Sequence, residues 1–205
     1  MYIPPFNKFE NQQEAIAFMQ RYSFATIVTV KDGLPVATHL PFLVEEKDGI
    51  ATLRSHFAKA NPQAAESIDT KVLVIFTEPH AYISPKHYEK VESVPTWNYL
   101  AVHAYGKFKL LEGEEHKAAL LKATIRNFEA EYLKQWESLP DKYKQNMMKG
   151  IVAFEIVVDD LQAKAKLSQN RSETERENII GELGRSENTS EKDVATYMAS
   201  LGTKP

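Results

Sequence analysis

Apolar residues recur along this chain with two periods, and the switches between them mark its elements. Ala15, Ile16, Phe18, Met19 and Tyr22 follow a helical period, and Asn11 with Glu14 forms a capping box that opens this helix. Phe24 to Val30 is rich in β-branched residues and reads as a strand. Lys31-Asp32-Gly33 is a hairpin signal, and Pro35 to Val44 is the returning strand, with prolines that place it at an edge or a bulge. Glu46 to Gly49 turns the chain into a third short strand, Ile50 to Arg54, which completes a meander.

The pattern then predicts a short helix from Ala58 to Ser67, with Pro62 in its first turn. A strand follows at Lys71 to Thr77, which His80 to Ile83 extends or restarts, with a loop from Pro85 to Val94. A long bent strand runs from Thr96 to Leu111, with Gly106 where it can bulge or curl. Glu112 to Trp136 reads as one helix with Ala119, Leu120, Ala123, Ile125 and Phe128 on its apolar side. Another helix begins near Pro140 and reaches Met148, and Gly150 to Val158 is a last core strand. Successive strands joined by hairpin turns predict a mainly β fold with peripheral helices, closed as a small barrel. Past Asp160 the chain turns polar and basic, with Lys164, Lys166, Arg171 and Arg176, and then helical around Ile179, Ile180 and Leu183 and from Glu191 to Leu201. The expected division is a barrel domain over residues 1–160 and a basic, helical tail over 161–205.

Composition narrows the chemistry. The 205 residues contain no cysteine, which excludes disulfides, thiolate nucleophiles and cysteine-ligated metals. A net charge of -3 carries no global footprint for nucleic acid. No apolar run reaches the length of a membrane span and the first residues do not form a signal peptide, so a cytoplasmic protein is expected. There is no HExxH motif, no GxSxG elbow and no glycine-rich phosphate loop. Metal sites are not indicated, and no residue is named as a catalytic acid or base.

Three segments carry candidate chemistry. In Leu53 to Pro62, Arg54 supplies a fork of donors, Ser55 a hydroxyl, and His56, Lys59 and Asn61 further donors, beside the amides of the expected helix start. This set suits a terminal phosphate, although a capped helix beside a solvated basic turn has the same pattern. Between His80 and His103, Tyr82, Trp97 and Tyr99 offer stacking surface while Ser84, Thr96 and Asn98 offer edge contacts. Strand periodicity puts Trp97 and Tyr99 on one face and Asn98 on the other. In Lys166 to Ser172, Lys166 and Arg171 can close over an anion or pair with acidic residues such as Asp159 and Asp160.

The stretches Met1-Tyr2-Ile3-Pro4, Ala37-Thr38-His39-Leu40-Pro41, Leu53 to Pro62, Pro79 to Pro85, Val94 to Tyr99 and Lys166 to Ser172 together resemble the PaiB family of FMN-binding transcriptional regulators. The likeness runs from the first residue to about Leu183. One departure is Glu78, which adds a negative charge where a small residue is expected. The resemblance implies an FMN-binding split β-barrel of the pyridoxamine-phosphate-oxidase-like kind, working as a homodimer with its sites at the subunit interface. It implies Arg54, Ser55, His56, Lys59 and Asn61 around the FMN phosphate, and Thr38, His39 and Tyr82 nearer the flavin. Trp97 and Asn98 would come from the second subunit, and Lys166, Gln169 and Arg171 from the tail.

The implied function is a flavin-dependent sensor that represses protease and sporulation genes. The alternatives are an FMN-dependent oxidoreductase with a nicotinamide donor and a haem-binding split-barrel protein. DNA is an implied partner of such a regulator, yet the helix from Glu191 to Leu201 carries Glu191 and Asp193 with Lys192 as its base, a poor match to phosphates.

Overall fold

Two Asp-Gly pairs set the hairpins. Asp32 and Gly33 lie at positive φ (49° and 79°), as do Asp48 and Gly49 (53° and 79°), the conformation that two-residue turns require. The first turn joins β1 (Phe24–Lys31) to β2 (Leu34–Pro41), with Lys31 opposite Leu34. The second joins β3 (Leu43–Lys47) to β4 (Ile50–Ala58), with Lys47 opposite Ile50. The long strands β5 (Lys71–Ile83), β6 (Thr96–Leu110) and β7 (Ile151–Lys166) complete an antiparallel sheet in the order β2-β1-β5-β6-β7-β4-β3. The helices are α1 (Gln12–Arg21), α2 (Gln63–Glu66), α3 (Glu114–Phe128), α4 (Tyr132–Ser138), α5 (Asp141–Lys149), α6 (Glu173–Gly184) and α7 (Thr189–Ser200).

This computed structural model describes residues 1–9, 11–67 and 69–201. Of the tail expected over 161–205, residues 202–205 lie outside the described residues. The chain divides into two compact units, and β5, β6 and β7 each contribute to both. A core unit holds Ile16–Phe76 and His103–Leu161; a tail unit holds Met1–Ala15, Thr77–Val102 and the chain from Gln162 on. The boundary expected at Asp160 falls inside β7, which runs on to Lys166.

The core unit is built on phenylalanines. Phe154 lies 4.6 Å from Phe108, 5.0 Å from Phe57 and 6.2 Å from Phe42 between ring centroids, and Phe42 meets Phe76 edge-on at 5.9 Å. All are buried, and burying each is worth about 1.5–3 kcal/mol. Gly106 serves close approach: a Cβ there would lie 2.3 Å from the Val157 carbonyl oxygen, so β6 and β7 need glycine at that point. On α1, Ala15, Ile16, Phe18 and Met19 are buried as the period predicts, and the Glu14 amide donates to Asn11 Oδ1 at 2.9 Å.

Three elements differ from the sequence reading. The single strand expected over Pro35 to Val44 is two, broken at Phe42, whose ring enters the core. The helix expected over Glu112 to Trp136 also divides. Glu129 leaves helical dihedrals (φ -155°, ψ 74°), and α4 then turns Trp136 inward while Ala119 and Phe128 stay exposed. Finally, β4 runs on to Ala58, because Ser55, His56 and Phe57 keep the strand alternation and pair with Phe154, Ala153 and Val152 of β7.

In the tail unit, α6 opens on a full capping box between Ser172 and Glu175. Asn188 caps α7 by accepting from the Ser190 amide at 2.9 Å. Ile179, Leu183, Val194, Ala195 and Met198 are buried where these two helices pack.

Candidate functional site

In the core unit, the alternation of β4 sends Thr52, Arg54 and His56 to one face and Leu53, Ser55 and Phe57 to the core. Arg54 therefore opens onto a groove of about 700 Å³ lined by Gln20, Glu45, Lys47, Thr52 and Glu155. One terminal nitrogen of its guanidinium donates to Glu45, while Nε is buried with no acceptor. His56 is half-buried, and burial holds its pKa below the ordinary histidine value. The Lys59 side chain is exposed while its amide donates to the Gly150 carbonyl at 2.8 Å. His39 is exposed on β2, stacked 6.4 Å from Phe24.

Other predicted phosphate ligands already have partners. Ser55 is buried and its hydroxyl donates to the Pro41 carbonyl at 2.7 Å. Asn61 Nδ2 donates to Thr38 Oγ1 at 3.0 Å, and Thr38 Oγ1 donates to Gln63 Oε1 at 2.6 Å. The buried Gln63 amide donates in turn to Thr29 Oγ1 and to the Val36 carbonyl, both at 3.1 Å. The helix-start amides expected beside Arg54 are absent from that position. Arg54 and Ser55 are ladder residues, and α2 begins only at Gln63.

The tail unit holds the aromatic segment. Trp97 (53% exposed) meets Tyr82 (49% exposed) edge-on at 5.8 Å and His80 at 6.0 Å. Asn98 points the other way, fully buried, and exchanges hydrogen bonds with Ser168 Oγ at 3.0 and 3.1 Å. Lys166 donates to Thr96 Oγ1, and burial lowers its pKa below that of an ordinary lysine. Gln169 folds onto its own segment, its Nε2 donating to the Ala165 carbonyl and its Oε1 accepting from the Leu167 amide. Arg171 stacks 3.7 Å from the centre of the Tyr88 ring. Lys166, Arg171 and Asn98 line one cavity; Gln169 does not.

Several partners were not singled out in the sequence. Glu45 had a readable signal, since the Asp48-Gly49 turn puts Glu45 opposite Thr52 and hence diagonal to Arg54. Lys164 and Lys166 stand two apart on one strand and share a face. Gln63 had no local signal. Among the described residues, no group of three or more His, Cys, Asp or Glu is placed to hold a metal ion, and no helix is long and apolar enough to cross a membrane.

The family described as "Putative FMN-binding domain" matches residues 1–160. Over 202 residues the chain is 44% identical to "Protease synthase and sporulation protein PAI 2" of Bacillus subtilis (strain 168), covering 97% of this chain and 96% of that protein. The chain belongs to the PaiB family. Membership gives it a domain of the FMN-binding kind in general. An uncharacterized protein of Emericella nidulans is 31% identical over 183 residues, 70% of this chain and 73% of its own. Among solved structures, the FAD and heme binding protein of Mycobacterium smegmatis aligns with a TM-score of 0.61 at 16% identity, over 77% of this chain and 72% of that one. The flavocytochrome Anf3 of Azotobacter vinelandii aligns with the same score at 15% identity, over 77% and 68%. Both likenesses concern the fold alone, and they agree with the FMN-binding split β-barrel class expected from the sequence.

Proposed function

We propose that this chain is an FMN-binding homodimeric regulator of the PaiB type, a flavin-dependent sensor acting on protease and sporulation genes. The observation that carries the cofactor reading is Arg54, whose buried Nε has no acceptor while the side chain opens onto a groove. A buried donor left unpaired costs about 1–3 kcal/mol, and a phosphate oxygen would remove that cost. His56 shares the face of Arg54, and Lys59 follows where β4 ends. These three are the proposed phosphate set; Glu45, Glu46 and Glu155 line the same groove as Arg54, and a phosphate must compete with them. Ser55, Thr38 and Asn61 hold the surrounding backbone and side chains in place. FMN, when bound, supplies redox chemistry at its ring system; the chain supplies position and electrostatics. The exposed pair of Tyr82 and Trp97 is a surface on which a flat ring can stack.

Support for self-association comes from the outer face of the first hairpin, where Phe24 and Val30 are each about two-thirds exposed on the face that Pro35 and Ala37 share. Such a patch marks an interaction surface, and a second copy of the chain is the occupant proposed here. For the regulatory output, α7 presents Glu191 and Asp193 beside Lys192, which favours signalling through the dimer or a protein partner over direct phosphate contacts.

The test is a titration of cofactor-free protein with FMN, read by flavin fluorescence and calorimetry, with native mass measured in parallel. The expected result is a dimer that saturates with one FMN per subunit. In Arg54→Ala the affinity should fall about 10- to 100-fold, the size of a lost charge-assisted hydrogen bond. A wild-type protein that fails to saturate at millimolar FMN sinks the reading.

A further inference from the structure

The tail unit contains a cavity of about 410 Å³ with an unusual charge balance. Lys164, Lys166 and Arg171 line it, and no carboxylate does among the described residues. Lys164 is 8% exposed, and its ammonium stands 5.8 and 5.2 Å from the ring centres of the exposed Tyr2 and of Tyr99. Neither Lys164 nor Lys166 has an ion-pair partner among the described residues. Burying an ammonium group without a counter-ion is expensive, and two ring faces offset only part of that cost. Asn7, which also lines the cavity, is 3% exposed, and its Oδ1 has no hydrogen-bond donor. The cavity thus presents positive charge, aromatic walls and one unfilled acceptor.

We propose that this cavity is a second binding site of the chain, for a small aromatic anion of the carboxylate class that also carries a hydrogen-bond donor. The anionic group meets the ammonium groups, the ring packs against Tyr2 and Tyr99, and the donor reaches Asn7 Oδ1. The volume lies within the range of ordinary small-molecule sites and suits a ligand of one or two rings. Burial first, and then the neighbouring Lys164 charge, lower the pKa of Lys166. The proposal is separate from the phosphate reading, because Arg54, His56 and Lys59 do not line this cavity; it reassigns Lys166 and Arg171, which the family resemblance gives to the flavin cleft.

The probe is 4-hydroxybenzoate, titrated by calorimetry into the full-length protein. Saturable, salt-sensitive binding is expected. Benzoate, which lacks the donor, should bind about 5- to 10-fold more weakly, the effect of one neutral hydrogen bond. In Asn7→Leu the two compounds should bind alike. Lys166→Met should weaken 4-hydroxybenzoate about 10-fold or more without changing the circular dichroism, whereas Arg54→Ala should leave this titration unchanged. Because the benzoate comparison uses wild-type protein, it stands even if a variant misfolds. Absence of saturation at high millimolar 4-hydroxybenzoate, or equal affinity for the two compounds in wild type, overturns the proposal. Displacement of the probe by FMN also overturns it, since the cavity would then be the flavin's own.

Discussion

Arg54 donates to Glu45 across the β3–β4 hairpin, and this ion pair occupies the guanidinium that the proposed phosphate needs. Glu155, opposite Arg54 on β7, lines the same groove and adds a second carboxylate to it. Anion binding must compete with Glu45. Glu45→Gln should therefore raise FMN affinity about 2- to 5-fold, a gain consistent with a half-exposed ion pair worth up to about 1 kcal/mol. Unchanged or weaker binding in Glu45→Gln would show that Arg54 does not contact the phosphate.

Histidine titration should make the fold acid-sensitive. Burial lowers the pKa of His56, His87 and His103 below 6.5, and His103 Nδ1 is buried without a partner. Below that value the unfolded chain takes up protons that the folded chain refuses, so stability is complete above about pH 6.5 and falls as the pH drops. Thermal unfolding between pH 8 and pH 5 should show a falling midpoint, and His56→Gln should make the decline shallower. A flat profile in wild type would contradict this.

Gly106→Ala should destabilise the core unit. Its methyl group would meet the Val157 carbonyl oxygen at 2.3 Å and Ile156 Cγ2 at 2.7 Å, forcing β6 and β7 apart. A loss of about 1–3 kcal/mol or more is expected in urea unfolding. A neutral result would mean that the strands separate freely at that point.

Gln63→Leu should cost more than an ordinary helix substitution. It removes the donor for Thr29 Oγ1 and the Val36 carbonyl and the acceptor for Thr38 Oγ1. Each buried group left unpaired costs about 1–3 kcal/mol, so the unfolding midpoint should fall clearly. The same variant should loosen Asn61, whose Nδ2 donates to the Thr38 hydroxyl that loses its acceptor, although its Oδ1 keeps the Gln63 backbone N–H. Faster amide exchange over 58–65 would report this.

Ser190 docks α7 on β5: its hydroxyl donates to the His80 carbonyl and accepts the His80 amide, both at 2.8 Å. Ser190→Ala should raise hydrogen exchange in the first turn of α7 while global stability changes by only about 1 kcal/mol. Unaltered exchange there would mean that the apolar face of α7 holds it alone.

Much of the fold was legible because its signals are local. Asp32-Gly33 and Asp48-Gly49 specify two-residue turns, and each turn sets a register, so even the Glu45–Arg54 diagonal follows from residues a few positions apart. The helical period of α1 and the alternation around Trp97, Asn98 and Tyr99 also came through, since one face of each element is buried. The break after Phe128 contains neither glycine nor proline, so no local residue announced it.

What the sequence by itself determined is the set of chemical groups: the strand-and-turn pattern, the arginine-histidine-lysine segment, the exposed aromatics and the family. Tertiary structure alone decided which of those groups are free. Ser55, Thr38 and Asn61 are spent on hydrogen bonds within the core unit, and Asn98 on Ser168, because a buried polar group must be paired. Arg54 Nε and Asn7 Oδ1 have no such partner among the described residues. That difference depends on residues distant in the chain coming within hydrogen-bonding distance, which no local pattern encodes.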